Sequence, residues 1–420
     1  MSMSRTAAGG FFGWTVVRGA FVLAICGWGL GFYGPPIFLH VIHATKGWSL
    51  GLVAAAITVH YLAGAIAVAN LPRLHARWGL MRVTRAGAVA LGLGIVGWSL
   101  AAAPWQLFPV AVLSGLGWAT LGAAAVNAIV APWFARGRPA ALALAYNGAS
   151  FGGILMSPLW VLSIQAFGFP LAASLIAATV IAILWLLAGQ VFVHSPGSLG
   201  QRPDGDAADA QDTAPAAPVR PPLPAAALWG ERRFRTLAGA TALGLFAQTG
   251  LLAHLFSLIV PALGEMVAGI AIACATLAAV TGRTLLAAVM PADADRRLIA
   301  AASYAVQVVG CGALMLSHGN DPWLIWTGVA LFGLGIGNVV YLPPLIAQSE
   351  FAPSDVPRVV ALTVALGQGL YAFAPAAFGL LREAIPSAAG AGDAPLVHAL
   401  AAAVFSAAIV TLLLGRRPHQ

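Results

Sequence analysis

The sequence predicts an all-α membrane protein in which twelve transmembrane helices form two halves of six. Only 8% of the 420 residues are charged, 60% are hydrophobic, and the mean hydropathy is +0.88. A soluble chain would carry about a quarter charged residues. Apolar runs long enough to cross a bilayer, which takes about 20 residues per helix, recur along the chain. A soluble fold is therefore excluded.

Each predicted span is an apolar window bounded by Gly, Pro or Arg clusters. The first six windows are 15–40, 49–71, 83–103, 105–133, 139–164 and 170–194. The second six are 236–261, 266–290, 298–317, 323–348, 358–381 and 394–415. The segment between them is rich in Asp and Pro and too polar to span. We therefore predict an N-terminal six-helix bundle over 1–194, a mobile cytosolic linker over 195–233 and a C-terminal bundle over 234–420.

The Lys and Arg residues indicate the orientation, because cytosolic loops are enriched in them. If the N-terminus is in the cytosol, 17 of the 21 Lys and Arg fall in cytosolic segments and only Lys46 and Arg382 fall in outer loops. The remaining two, Arg18 and Arg283, lie within or at the edge of spans. Both termini are therefore predicted to be cytosolic. Scarce Lys beside abundant Ala, Gly and Arg is typical of a GC-rich bacterial genome. We expect a multi-pass protein of the bacterial inner membrane.

An internal repeat supports the division into halves. A shift of 218 residues lays Gly115 and Gly117 on Gly333 and Gly335. Six-helix repeats related by an axis along the membrane normal are typical of a large transporter architecture. In that architecture the substrate binds near the membrane midplane, between the halves.

The composition excludes several other function classes. The cations lie at span ends, which disfavours a nucleic-acid-binding stripe. Cys26, Cys274 and Cys311 lie in apolar runs without metal-ligand spacing, and no Asp or Glu precedes Asp204. We therefore predict no metal site, no cofactor and no enzymatic activity. The expected partners of this monomer are a small organic anion, protons and membrane lipids.

One loop resembles a family signature. Residues 72–82, PRLHARWGLMR, are similar to the G-x-L-A-D-R-x-G-R-R-R motif of the major facilitator superfamily. The resemblance implies a gating loop built on the matching residues Arg77, Gly79 and Arg82. Ala76 stands where the family has an Asp that joins an inter-helix charge network.

Three further segments resemble one branch of that superfamily, the oxalate:formate antiporters and monocarboxylate-porter-like proteins. They are residues 127–158 with a WF-x-x-x-R-x-x-A core, residues 196–205 with the sequence PGSLGQRPDG, and the pair Gly282-Arg283. The resemblance implies a secondary transporter in which the Arg of this pair engages the substrate carboxylate.

Arg283 is the leading candidate for substrate binding. It lies roughly 10 Å from the cytosolic end of the predicted eighth span, where an unpaired guanidinium is costly. No Asp or Glu lies within the hydrophobic part of any predicted span, so the substrate itself could supply the counter-charge. A guanidinium fork suits a carboxylate. The alternative is an arginine that snorkels or bonds backbone carbonyls.

Other polar and aromatic side chains at helical spacing are candidates for the cavity wall. His60 and His254 are deep enough to take up a co-transported proton, the alternative being neutral imidazoles bonded within the bundle. The remaining substrate-binding candidates are Tyr33, Tyr61, Tyr146, Asn147, Ser150, Asn338, Tyr341, Gln368 and Tyr371. Hydrogen bonding between helices is the alternative for each.

The sequence as a whole predicts secondary active transport of a small organic anion, with a monocarboxylate favoured and proton coupling left open. One alternative is an exporter or importer of a larger amphipathic compound, such as a drug or a siderophore. Another is a non-transporting membrane sensor of the same fold.

Overall fold

The computed structural model describes residues 11–205, 223–291, 294–384 and 394–416, and α-helices joined by short turns make up most of them. Eleven helical segments in this part of the chain are long and apolar enough to cross a membrane. They are Gly13–Lys46, Leu50–Trp78, Leu80–Leu100, Pro104–Trp133, Arg138–Phe167, Phe169–Gln190, Arg232–Val289, Arg296–Leu316, Pro322–Glu350, Val356–Ala384 and Pro395–Leu414.

The segment Arg232–Val289 contains two spans. Its 58 residues would extend about 87 Å as one straight helix, whereas the bilayer core is about 30 Å thick. The backbone leaves helical geometry at Gly264, where φ is 75° and ψ is 160°. The described part of the chain thus has twelve spans, numbered here 1 to 12, with span 7 at 232–263 and span 8 at 265–289. The predicted fold class is confirmed.

Glycine allows the chain to reverse between adjacent spans without a loop. Gly79, Gly168 and Gly264 share one backbone conformation, with φ between 73° and 78° and ψ between 157° and 160°. This region is essentially restricted to glycine. No atom lies within 4 Å of a Cβ built at any of the three, so backbone conformation and not space requires the glycine.

Several span boundaries differ from the hydropathy windows. Span 2 continues to Trp78, beyond the predicted end at residue 71, and Pro72 lies inside its helix. Helical hydrogen bonding continues where the sequence turns polar, because it does not depend on hydropathy. Spans 1, 4 and 11 each consist of more than one helix. In span 1 the second helix is Gly34–Lys46, and Pro35 and Pro36 lie in its first turn. Residues 206–222 of the predicted mobile linker lie outside the described residues, and Ala225–Gly230 within it is helical.

The repeat is visible in the helix positions. Span 4 begins at Pro104 and span 10 at Pro322, which are 218 residues apart. Span 5 begins at Arg138 and span 11 at Val356, with the same separation. Spans 1 to 6 and spans 7 to 12 therefore repeat one arrangement over these regions.

Asp204, in the segment that follows span 6, forms hydrogen bonds with the loop between spans 4 and 5. Its carboxylate accepts hydrogen bonds from the backbone N–H groups of Ala135, Arg136 and Gly137, at 3.0, 2.8 and 3.1 Å. Desolvation opposes ionisation, but these three bonds and the charge of Arg136 lower the pKa of Asp204 below its ordinary value. A lowered folded-state pKa means that this contribution to stability is present above the unfolded-state pKa and is lost as the pH falls through the folded-state pKa.

Replacing Asp204 with Ala should release this loop. We expect faster hydrogen–deuterium exchange at the amides of residues 135–137, because they lose their acceptor. As a control, Asp321→Ala removes a carboxylate that caps the start of span 10, and it should leave these amides unchanged. Equal exchange in the wild type and Asp204→Ala would contradict the assignment.

Candidate functional site between the halves

The two halves are joined at one face of the membrane. We call the face where the described chain begins and ends the terminal face, and the opposite face the distal face. Near the distal face the Gly51 N–H donates to Glu383 at 2.6 Å, and Gln165 donates to Glu265 at 3.0 Å. The Ala376 N–H donates to the Thr58 hydroxyl at 3.1 Å. These bonds hold spans 2 and 5 of the first half against spans 8 and 11 of the second.

Carboxylates of the second half accept two of these three hydrogen bonds. Glu383, at the end of span 11, lies beside the N-terminus of span 2, where free N–H groups and the helix dipole favour a negative charge. Glu265 lies 3.6 Å from the Nε2 atom of His40 as well as bonding Gln165. Neither acid was predicted from the sequence to have a functional role, although the chain has only 13 Asp and Glu residues and this rarity was a usable signal.

Arg283 bridges the halves nearer the terminal face. Its Nη2 donates to the side-chain oxygen of Asn147, on span 5, at 2.9 Å. A guanidinium has five N–H donors, and this bond uses one of them on a neutral amide. Within the described ranges, no carboxylate pairs with Arg283. The half-buried charge therefore has donors left for a ligand.

Close helix packing fixes the backbone beside Arg283. A Cβ on Gly282 would lie 2.3 Å from the carbonyl oxygen of Leu334, on span 10. A Cβ on Gly337 would lie 3.3 Å from the Cβ of Arg283. Side chains at these glycines would push spans 8 and 10 apart, so the glycines set the position from which the guanidinium extends.

Two tyrosines on the distal side of Arg283 lie at interruptions of the helices. Tyr33 directly precedes the second part of span 1, and Tyr371 ends the first part of span 11. The rings of Tyr61 and Tyr371 meet edge to face at 5.6 Å across the two halves. Tyr33 and Tyr341 lie in electrostatic range of the Arg283 guanidinium. The structure therefore brings together six of the predicted site residues, namely Arg283, Asn147 and these four tyrosines.

His60 belongs to a buried hydrogen-bonded network. Its Nε2 bonds the carbonyl of Gly31 at 2.9 Å, and because a carbonyl only accepts, Nε2 carries a proton. Its Nδ1 lies 2.8 Å from the hydroxyl of Ser114, which also accepts from the indole N–H of Trp98 at 3.2 Å. The Ser114 hydroxyl has one proton, which it can donate either to Nδ1 of a neutral His60 or to the carbonyl of Ala111 at 3.1 Å. The sequence analysis missed Trp98 and Ser114, since nothing in their spacing relates them to His60.

His254 is fully buried and incompletely bonded. Its Nε2 donates to the carbonyl of Pro375, beside the interruption of span 11, at 3.0 Å. Its Nδ1 has no hydrogen-bond partner among the described residues. This atom is therefore an acceptor inside the second half, adjacent to a helix break.

Other predicted wall residues point elsewhere or lack side-chain partners. Asn338 donates to Ser303 on span 9 at 3.1 Å, and Tyr146 donates to the carbonyl of Ala123 on span 4 at 3.0 Å. Each of these bonds stays within its own half. Ser150 and Gln368 are half-buried and make no side-chain hydrogen bond within the described part of the chain.

The predicted gating loop lies at the terminal face. Gly79 forms the reversal between spans 2 and 3, the Arg77 guanidinium lies 5.9 Å from the Trp78 ring, and Arg82 is exposed. Ala76 is exposed and supplies no charge to this loop.

Comparisons with known proteins agree with this architecture. Residues 19–375 match the sequence profile of the Major Facilitator Superfamily. Monocarboxylate transporter 11 of Homo sapiens is 27% identical over 380 residues, which cover 89% of this chain and 70% of that protein. Its Mus musculus counterpart is 29% identical over 242 residues, covering 56% and 49% of the two chains.

Solved structures share the fold at low sequence identity. A mutant of the nucleoside transporter NupG aligns with a TM-score of 0.72 and 13% identity, covering 96% of this chain and all of that one. A bacterial homolog of the human lysosomal transporter Spinster, in an inward-facing and unoccupied conformation, aligns with a TM-score of 0.65 and 14% identity, covering 97% and 95%. At this identity the likeness shows the fold alone.

The distal contact leads to a prediction about gating. Replacing both Glu265 and Glu383 with Gln removes the two charges, so the distal face should open more often. Labelling of an Ala54→Cys reporter, buried beside Gly379, by a membrane-impermeant maleimide should rise about tenfold for each 1.4 kcal/mol of lost contact.

Glu231→Gln, near the terminal face, is the matched control and should leave the labelling unchanged. The reporter belongs in a background in which Cys26, Cys274 and Cys311 are replaced. Unchanged labelling in the double Gln variant would show that the two carboxylates do not hold the distal face closed.

Proposed function

Since the chain belongs to the major facilitator superfamily, we propose that it moves a small organic anion, a monocarboxylate, across the membrane by alternating access. The two halves close on each other at the distal face in this structure and would exchange that contact for one at the terminal face during transport. Arg283 is the residue on which the anion binds.

The single observation that carries the proposal is the charge balance of Arg283. The guanidinium is half-buried between the halves, and among the described residues its one side-chain hydrogen-bond partner is the neutral Asn147. A carboxylate can form two parallel bonds with the free edge of a guanidinium, which adds geometric specificity. One bound carboxylate neutralises the site, whereas a neutral solute leaves the charge in place.

The surrounding side chains favour a small substrate. Tyr33, Tyr61 and Tyr371 crowd the distal side of Arg283 and supply aromatic faces with hydroxyl groups. Tyrosine combines an apolar body with a polar tip, which suits a short organic acid. The likeness to proteins named monocarboxylate transporter 11 supports the same substrate class.

A proton can enter this scheme at either buried histidine. His254 has an acceptor atom without a partner, whereas uptake at His60 would require the Ser114 hydroxyl to turn away from the imidazole. Proton coupling through these residues stays a prediction, as do the bacterial inner membrane and the cytosolic termini.

Replacing Arg283 with Gln should strongly reduce the uptake of monocarboxylates that are supplied to proteoliposomes below the KM of the wild type. Hydrogen bonds to charged groups contribute about 1.5–3 kcal/mol, so binding should weaken by about ten- to a hundredfold. Arg85→Gln is the control, because Arg85 contacts Trp185 on span 6 within the first half. Retained uptake by a folded Arg283→Gln protein would remove this residue from the binding role.

Asn147 offers a complementary test that adds a charge instead of removing one. Asn147→Asp should place a carboxylate beside the guanidinium and compete with the substrate, so the KM for monocarboxylates should rise at least about tenfold. Asn147→Ser changes the same bond without adding charge and should affect the KM far less. Equal effects of the two substitutions would indicate that Asn147 acts through packing and not through the charge of Arg283.

A further inference from the structure

A cleft of about 460 Å³ opens on the terminal face of the first half, and residues of the first half alone line it. The ends of spans 2, 4 and 6 and the start of span 3 form its walls. Among its lining residues are three basic or titratable side chains, His75, Arg82 and His194, and two tryptophans, Trp78 and Trp133.

The repeat shows what fills the corresponding place in the second half. The shift of 218 residues lays Gly79 on Arg297 and Pro132 on Glu350, and both Gly79 and Pro132 line the cleft. Arg297 is 2% exposed and binds Glu350 in a two-pronged ion pair, with Nε to Oε1 at 2.6 Å and Nη2 to Oε2 at 2.9 Å. In the second half, an ion pair between Arg297 and Glu350 therefore fills the position that corresponds to the cleft.

The first half provides cations at this place but no matching acid. Arg82 is exposed and makes no hydrogen bond or ion pair within the described residues. The Nε2 atom of His75 is buried and has no partner there either. The sequence contains no Asp or Glu before Asp204, and that carboxylate is already bonded to three backbone N–H groups. The cleft therefore has donors for an anion that the chain does not supply.

We propose that this cleft binds the phosphate of an anionic phospholipid headgroup, which takes the place that the Glu350 carboxylate has in the second half. Arg82 would bind the phosphate oxygens through its guanidinium fork, with His75 as a second donor. Basic pockets between transmembrane helices are suited to anionic headgroups.

The location favours a lipid over phosphate in solution. The cleft lies at the ends of membrane spans, where the interface begins. Trp78, which lines it, is 51% exposed, and tryptophan is enriched at membrane interfaces. Apolar residues such as Phe192 and Met81 also line the cleft and can contact the glycerol and acyl ester region.

Native mass spectrometry of the purified protein with added phosphatidylglycerol or phosphatidylcholine tests the proposal. The wild type should retain phosphatidylglycerol in preference to phosphatidylcholine. Arg82→Gln should weaken this binding about fivefold, since one cation near an anionic surface contributes about that factor. Arg73→Gln is the matched control, because Arg73 is exposed at the neighbouring end of span 2, its Nη1 lies 3.5 Å from the side-chain oxygen of Asn70, and it does not line the cleft.

His75→Gln provides a second variant, and the melting temperature in phosphatidylcholine reports folding for each protein. Weaker retention in both Arg82→Gln and His75→Gln, with unchanged melting, supports the site. Equal retention of phosphatidylglycerol by the wild type and both variants would overturn it. The proposal would also be overturned if inorganic phosphate or glycerol phosphate raised the melting temperature as much as phosphatidylglycerol does, because the ligand would then be a free phosphate.

Discussion

The charge of Arg283 is held between two halves that otherwise meet through tyrosines, backbone groups and distal carboxylates. Its bond to Asn147 crosses from span 8 to span 5, so any movement of the halves changes its surroundings. A guanidinium in a partly desolvated site is stable when its donors are occupied. In the proposed mechanism, substrate binding and the relative position of the halves are therefore linked through Arg283.

The halves share an architecture but distribute charge differently. In the second half, Glu350 pairs with the buried Arg297, and Glu265 and Glu383 form the distal contact. In the first half, Gln165 and His40 meet Glu265 across the distal interface, and Arg82 lies at the terminal face without an acid partner among the described residues. The repeat preserves the helices, which depend on apolar spacing, while the charged positions have diverged toward separate roles.

Apolar windows predicted twelve spans because span formation follows local composition, and even the reversal at Gly264 falls between two predicted windows. Arg283 was predictable for the same reason, since a charge in an apolar run stands out. Contacts between distant residues were not predictable: Asn147 was a candidate for the wall, but its pairing with Arg283 depends on how two helices pack. Helical spacing likewise did not reveal that Asn338 and Tyr146 bond inside their own halves. Glu265 and Glu383 lie at span ends, where an acid resembles an ordinary loop charge.

A structure of the protein with a bound monocarboxylate would test directly whether the substrate anion binds on Arg283. We expect a carboxylate whose two oxygens lie about 2.7–2.9 Å from nitrogen atoms of Arg283, between the halves and on the terminal side of the tyrosines. A substrate bound elsewhere, with the Arg283–Asn147 bond unchanged and no anion at the guanidinium, would contradict it.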